Sequence, residues 1–325
     1  MRLVSHPILC NYYLTYRCNA KCGFCDIWER PSPYASLDQI KQNLASLKRL
    51  GVKVIDFTGG EPLLHQQFDQ ILGLAKQMKF ITTVTTNGLL YPKWAQRIKG
   101  KVDMLHFSLD SADQTKHDEM RGVACFDQIM KSIETAKSLG ERPDILFTAF
   151  EHNLDEIDPI YQHICLPNDL VLIINPVFDY NQVETGQKLS DSSLILLRQW
   201  GRRKNVYLNE AFLQLRHDGG NDINNPVCKA GSTTIVISPE NQLVLPCYHL
   251  GKRSFDIDGN LEEVYYSTEA QSLIQKEGRL SECQGCTINC YMQPSFATEV
   301  NKYFWKALPS TIKYNRIKGT WRALI

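Results

Sequence analysis

The chain has 325 residues, 43% of them hydrophobic and 22% charged, with a formal net charge of +1. That balance gives no global pull toward nucleic acid, no run approaches the roughly 18 apolar residues of a spanning helix, and the start, MRLVSHPILCNYYL, lacks the apolar block and cleavage site of a signal peptide. A cytoplasmic globular protein is expected, long enough for one generous core and a smaller appended domain.

ILCNYYL (8–14) reads as the first strand. Ser36-Leu-Asp-Gln39 resembles a capping box, opening a helix with Leu37, Ile40, Leu44, Leu47 and Leu50 on one face and Gly51 at its end. VKVIDFTGG (52–60) is a strand continuous enough to be buried on both faces. A helix over 68–77, a strand over 80–88, a short helix at 94–98 and a strand over 102–110 follow. FDQIMKSIETAKSLG (126–140) is an amphipathic helix, and strands at 144–153 and 170–178 flank a helix near 155–164.

These make six β/α units, which implies a parallel sheet and an α/β fold. Six units are too few for an eight-fold barrel, leaving an open partial barrel or a doubly wound sheet. CNAKCGFC, TGGEP, TTNG and SLD all fall just after strands, at the carboxyl edge where such folds bind ligands. A polar helical stretch (190–217) leads to HDGGNDINNP (217–226), a linker by composition. A smaller module follows: the hairpin-like TTIVISPENQLVLPC (233–247), a helix around 262–275 and a run of cysteines. The last segment, KYFWKALPSTIKYNRIKGTWRALI, has six Lys/Arg and no acid.

The eleven cysteines are unevenly placed. Without an export signal, clusters of them point to metal ligation rather than disulfides. Cys10, Cys125 and Cys165 stand alone in apolar surroundings and read as buried thiols. Cys18, Cys22 and Cys25 form a front cluster that is one ligand short of structural zinc. Iron–sulfur clusters use the same soft ligands and can leave one iron open. Spacing alone keeps both occupants in play.

The pattern C-x3-C-x2-C, with Phe24 before its last cysteine, resembles the signature of the radical S-adenosylmethionine (radical SAM) superfamily. The resemblance covers about residues 8–180. It implies a partial (β/α)6 TIM barrel in which Cys18, Cys22 and Cys25 hold a [4Fe-4S] cluster. Its open iron would chelate S-adenosyl-L-methionine, whose reductive cleavage gives a 5′-deoxyadenosyl radical that takes hydrogen from a substrate. It also implies that Gly59, Gly60, Glu61 and Pro62 of TGGEP bind the methionine amino group. Thr86 and Asn87 of TTNG would lie at the cofactor, Ser108 and Asp110 of SLD at its ribose, and Arg121 and Asn153 among its further polar ligands. Asp56, His65 and His106 read as packing residues near these segments.

Cys228, Cys247, Cys283, Cys286 and Cys290 form a back cluster that suits zinc or iron–sulfur. Its layout resembles the twitch or shortened SPASM extension of radical SAM enzymes, implying one auxiliary [4Fe-4S] cluster. By that likeness the ligands are Cys228, Cys247, Cys283 and Cys286, with Cys290 as spare or substitute. The expected domains are 1–190 (barrel), 191–226 (helical linker), 227–295 (auxiliary α+β module) and 296–325 (basic aromatic tail). The tail reads as a segment packing its aromatics on the barrel or, alternatively, as a peripheral lipid contact; Pro309 and Gly319 argue against one long helix.

The expected function is a radical SAM oxidoreductase or transferase acting on a small or lipid-like molecule, with a flavodoxin- or ferredoxin-type electron donor. The first strand begins almost at Met1, without room before it for a leader-binding domain, which favours that reading over a ribosomal-peptide maturase. A non-catalytic zinc or iron–sulfur binding protein is the rival from another class.

Overall fold

The computed structural model describes residues 6–178 and 189–320. The first five residues and the last five of the tail therefore lie outside the described residues.

Ten strands form one sheet in the order β10-β9-β8-β1-β2-β3-β4-β5-β6-β7. Its parallel centre comprises β1 (Leu9–Tyr13), β2 (Val54–Thr58), β3 (Ile81–Thr86), β4 (Met104–Ser108), β5 (Asp144–Ala149) and β6 (Leu172–Pro176). The helices between them are α1 (Leu37–Arg49), α2 (Phe68–Gln77), α3 (Tyr91–Ile98), α4 (Gln114–Arg121) and α5 (Phe126–Ser138). The crossover from β5 to β6 is irregular, with a 3-10 turn, a single turn α6 (Ile157–Pro159) and a π-helical stretch from Ile160 to Cys165. This is an α/β fold with the mostly parallel sheet of a partial TIM barrel.

The expected elements form at or close to their expected positions, with instructive exceptions. Ser36 stands at the N-cap of α1 but its side chain accepts no capping hydrogen bond, so burial of Ile40, Leu44 and Leu47 does more for this helix than its cap. Helix α4 is an addition: its sequence, QTKHDEMR, has no apolar stripe, and Asp113 starts it by accepting from the Lys116 amide. The polar stretch at 190–217 contains α7 (Asp191–Gly201), the short parallel strand β7 (Val206–Tyr207) and α8 (Glu210–His217).

The C-terminal module is continuous with the barrel sheet. After α9 (Ala230–Thr233), β8 (Thr234–Ile237) pairs in parallel with β1, and β9 (Gln242–Leu245) and β10 (Arg253–Asp256) follow antiparallel. The helix expected over 262–275 divides at Ser267 into α10 (Leu261–Tyr266) and α11 (Thr268–Ile274), with Ser267 capping the second. After α12 (Asn289–Phe296), the tail forms one helix, α13 (Lys302–Lys318), with Pro309 inside it and Gly319 ending it in the left-handed region. Pro309 removes the hydrogen bond to the Trp305 carbonyl, and Trp305 is 61% exposed, so water can take that place. The helix buries Tyr303, Ala307 and Tyr314, as the packing reading of the tail expects. Among the described residues no helix is long and apolar enough to cross a membrane.

The two faces of the sheet differ. Ile55, Phe57, Val84, Leu105, Phe107, Ile145 and Phe147 join the main core with the helices. The alternating residues Asp56, Thr83, Thr85, His106 and Asp144 lie on the other face, so β2 is not the doubly apolar strand its sequence suggests. The sheet must curl around this polar face. A flat sheet would separate β1 from β6 by five strand spacings, about 24 Å. Yet three consecutive residues span them: Asn289 donates to the Pro176 carbonyl at 2.8 Å, and Tyr291 bonds the Asn11 side chain.

Candidate functional site

The loop carrying Cys18, Cys22 and Cys25 is held from two sides. On one, the amides of Gly60 and Glu61 donate to the carbonyls of Thr15 (2.8 Å) and Arg17 (2.9 Å). A Cβ on Gly59 would lie 2.0 Å from the Thr15 oxygen, and one on Gly60 2.1 Å from the Arg17 oxygen. The glycines of TGGEP are thus needed for the chain's own close approach to the cysteine loop, a cause that the sequence did not indicate. On the other side, Lys21 donates its amide to the Arg121 carbonyl at 3.0 Å, and a Cβ on Gly122 would meet the Lys21 oxygen at 2.3 Å.

Side chains from the end of β3 and the end of α4 reach the thiols. Asn87 Nδ2 lies 3.8 Å from Cys18 Sγ and 2.8 Å from Asn19 Oδ1. Arg121 Nη1 lies 3.8 Å from Cys22 Sγ, and its guanidinium sits 5.4 Å from the Phe24 ring. Burial pushes the Cys18 thiol up to about 12 and the Cys25 thiol up to about 11, and the neighbouring thiols add to both. Half-buried thiols raised in this way, Cys18 and Cys25, are poor free thiolates, and a cationic centre beside them would reverse that. Among the described residues no three His, Cys, Asp or Glu converge on one metal ion. A cluster asks for something different, because it offers each thiolate its own iron. Three soft thiolates on one loop suit the ligand set of an iron–sulfur cluster.

The remaining expected cofactor residues are brought together, but several face their own chain. Glu61 is 1% exposed; its Oε1 accepts from the Leu63 amide (3.0 Å) and the Thr86 hydroxyl (2.8 Å), and its Oε2 from the Asn87 amide (2.9 Å). It braces the end of β2 against the end of β3, and burial still pushes its pKa to about 7. Pro62 starts the 3-10 turn behind it. Asp110 is fully buried, paired with Arg121 Nη2 at 2.5 Å and accepting from the Thr148 amide at 2.9 Å. Its carboxylate orients Arg121 rather than presenting an open edge for a ribose. Asn153 ties its own turn, accepting from the Phe150 amide and donating to the Thr148 carbonyl. Ser108, the last residue of β4, is buried.

The back cysteines sort into four and one. Cys247 and Cys286 add to burial in raising the Cys228 thiol, Cys286 and Cys283 do the same to Cys247, and Cys283 to Cys286. Each of these four thus lies within electrostatic reach of at least one other. Cys290 answers instead to Asp56, on the inner face of the barrel. Sequence reasoning missed what gathers the four. Asn221, inside the supposed linker, is fully buried; its Oδ1 accepts from the amides of Val227 (3.0 Å) and Cys228 (3.1 Å), and its Nδ2 donates to the carbonyls of Gly278 (2.8 Å) and Cys283 (3.1 Å). Its backbone exchanges hydrogen bonds with Cys286 and Gly285. The only hint in sequence is the GGN turn, because Gly220 has no room for a Cβ against Gly285.

The two cysteine regions meet. Tyr248, next to Cys247, stacks on Tyr13 with centroids 4.4 Å apart, and the Arg30 guanidinium sits 5.1 Å from its ring.

Residues 12–164 match the family model described as the radical SAM superfamily. Among curated proteins, the chain is 34% identical over 114 residues to the S-adenosylmethionine-dependent nucleotide dehydratase of Siniperca chuatsi, covering 33% of this chain and 32% of that protein. It is 33% identical over 159 residues to the probable GTP 3′,8-cyclase of Methanocella arvoryzae, covering 46% and 51%. The chain thus spans about a third to a half of the length of these relatives. Among solved structures, Streptococcus suis SuiB bound to precursor peptide SuiA superposes with a TM-score of 0.65 at 20% identity, over 84% of this chain and 67% of that one. This likeness concerns the fold.

Proposed function

Because residues 12–164 match the radical SAM superfamily model, we propose that the whole chain is a radical SAM enzyme that oxidises or otherwise modifies a small molecule. The observation that carries this reading is the convergence on one three-cysteine loop of Gly60 and Glu61 from the β2 edge, Asn87 from the β3 edge and Arg121 from α4.

Cys18, Cys22 and Cys25 hold a [4Fe-4S] cluster, and the adjoining edges receive S-adenosyl-L-methionine. Together these groups supply a hydrogen-abstracting radical when an external donor of the flavodoxin or ferredoxin type provides one electron. The chain's own residues do the positioning. Glu61 fixes the β2 and β3 edges relative to each other. Asp110 holds Arg121, which directs N–H groups at Cys22, and Asn87 does the same at Cys18. Hydrogen bonds to cluster sulfurs shift the potential, so both residues bear on how readily the electron enters. Phe24, packed on Phe150 with centroids 5.2 Å apart, covers this face from water.

Cys228, Cys247, Cys283 and Cys286 hold one auxiliary [4Fe-4S] cluster, and Cys290 is not among its ligands. The ties from Asn221 to Cys228, Cys283 and Cys286, with Cys247 within electrostatic reach of Cys228 and Cys286, support this. The substrate lies between the barrel and the module that carries this second set.

Anaerobic reconstitution tests the reading. Incubation with S-adenosyl-L-methionine and dithionite should give 5′-deoxyadenosine, and Cys22→Ser should abolish it. A zinc or electron-storage protein would bind metal and give none. A peptide substrate would show itself as a mass change in a peptide that small molecules do not compete away.

A further inference from the structure

The inner face of the sheet carries a polar wall that none of the cofactor positions uses. Asp56 on β2 is the register partner of Thr83 on β3, and the Thr83 hydroxyl donates to Asp56 Oδ1 at 2.5 Å. Two residues further along β3, Thr85 is paired with His106 on β4, and their side chains meet at 3.2 Å. The lower end is closed by α13, whose Tyr314 hydroxyl lies 3.4 Å from His106 Nε2 and donates to Asp144 at 2.6 Å.

The wall has two carboxylates in different circumstances. Asp144 is fully buried and neutralised by Lys318 at 2.9 Å. Asp56, partly accessible, has no cationic partner among the described residues; Thr83 is its hydrogen-bond donor. His106 adds no compensating charge, since burial lowers its pKa.

Opposite this wall stands Cys290. Asn289 and Tyr291 are buried and anchored to β6 and β1, yet Cys290 between them is exposed. Tyr291 bonds Asn11, the register partner of Asp56 on β1, and the exposed Cys290 thiol beside it lies within reach of the Asp56 charge.

We propose that the space between the Asp56–Thr83 and Thr85–His106 pairs and Cys290 is the substrate chamber, and that it receives a protonated amine of the substrate at Asp56. This rests on the enzyme reading above and adds the class of substrate to it. A lone carboxylate on an otherwise uncharged wall attracts a cation and repels an anion, and few charges elsewhere in a low-dielectric cavity screen it.

Cys290 makes the proposal measurable without the substrate. The reconstituted holoenzyme is treated anaerobically, with neither S-adenosyl-L-methionine nor reductant, with matched cationic trimethylammonioethyl and anionic sulfonatoethyl methanethiosulfonates. Peptide mapping then reads modification of Cys290 apart from the other cysteines. Each rate is divided by that of the same reagent with free 2-mercaptoethanol, which cancels the reagents' own difference toward a thiolate. On that scale the cationic reagent should be favoured about tenfold at Cys290. Asp56→Asn, or Asp56→Ser should the first variant fold poorly, should bring the normalised ratio within about twofold of one, and Glu134→Gln, on the exposed face of α5, should leave the preference in place. A normalised ratio near one on the unaltered protein, a preference that survives loss of Asp56, or a Cys290 inert to both reagents would overturn the proposal. None of these outcomes depends on formation of 5′-deoxyadenosine, so failure of the chamber and failure of the enzyme reading are told apart.

Discussion

The residues that organise this site mostly act on one another. Asp110 holds Arg121, Glu61 ties two strand ends, and Asn221 collects three chain segments around the back cysteines. Each is buried, and a buried polar group is costly when its partners are lost. Asn221→Ala should therefore disperse the four back cysteines while sparing the front three. Iron per chain should fall from about eight to about four, measured after anaerobic reconstitution, with 5′-deoxyadenosine formation retained. His117 gives a pH test at the same scale. Its Nδ1 accepts from the Asp110 amide at 3.2 Å, so the ring is neutral, and burial followed by the nearby Arg121 charge lowers its pKa to about 3 from the usual 6.5. Because the folded value lies below the unfolded one, the unfolded chain holds the extra proton between those limits. The stabilisation is fully present above pH 6.5 and is lost as pH falls toward 3. It amounts to roughly 4–5 kcal/mol. Denaturant midpoints across pH 7 to 4 should fall steeply for the natural chain and less steeply for His117→Gln.

At the scale of elements, α13 shows how a tail becomes part of a core. Tyr314 and Lys318 both bond Asp144 at the start of β5, and α13 also packs on α8. Removing one side of a buried pair leaves the other uncompensated, so Lys318→Met should cost about 3–5 kcal/mol in a denaturant melt, and adding Asp144→Asn should restore part of that loss. Periodicity marked α1, α2 and α5 well because each has an apolar stripe, and the strand-ending motifs come together at one edge because parallel strands gather their carboxyl ends. The same reasoning failed where the cause is tertiary. Helix α4 is polar along most of its length and folds because Asp113 caps it and Arg121 reaches Asp110. HDGGNDINNP reads as a linker by composition, but Asn221 bonds across distances no local pattern contains. Asp56 and His106 each interrupt a largely apolar strand sequence, and only the register shows that they share the inner face.

For the whole molecule, the continuous sheet matters more than the division into barrel and module. Strand β8 pairs with β1, so the back cysteines are mounted on the same framework as the front ones, and Tyr248 stacks on Tyr13 beside both. The segment from Asn289 to Tyr291 then bridges β6 and β1 with the exposed Cys290 between its two anchors. Cys290→Ser should leave about eight irons per chain, whereas Cys228→Ser should leave about four; retention of eight by both, or loss by Cys290→Ser, would reassign the ligands. The central claim is that the front thiols hold a cluster whose open site is completed by the cofactor. Its most direct measurement is chromatographic detection of 5′-deoxyadenosine from the reconstituted protein with S-adenosyl-L-methionine and dithionite. Production by the natural chain and its absence in Cys18→Ser, Cys22→Ser and Cys25→Ser is the predicted result. A protein loaded with iron and sulfide that forms no 5′-deoxyadenosine would contradict it.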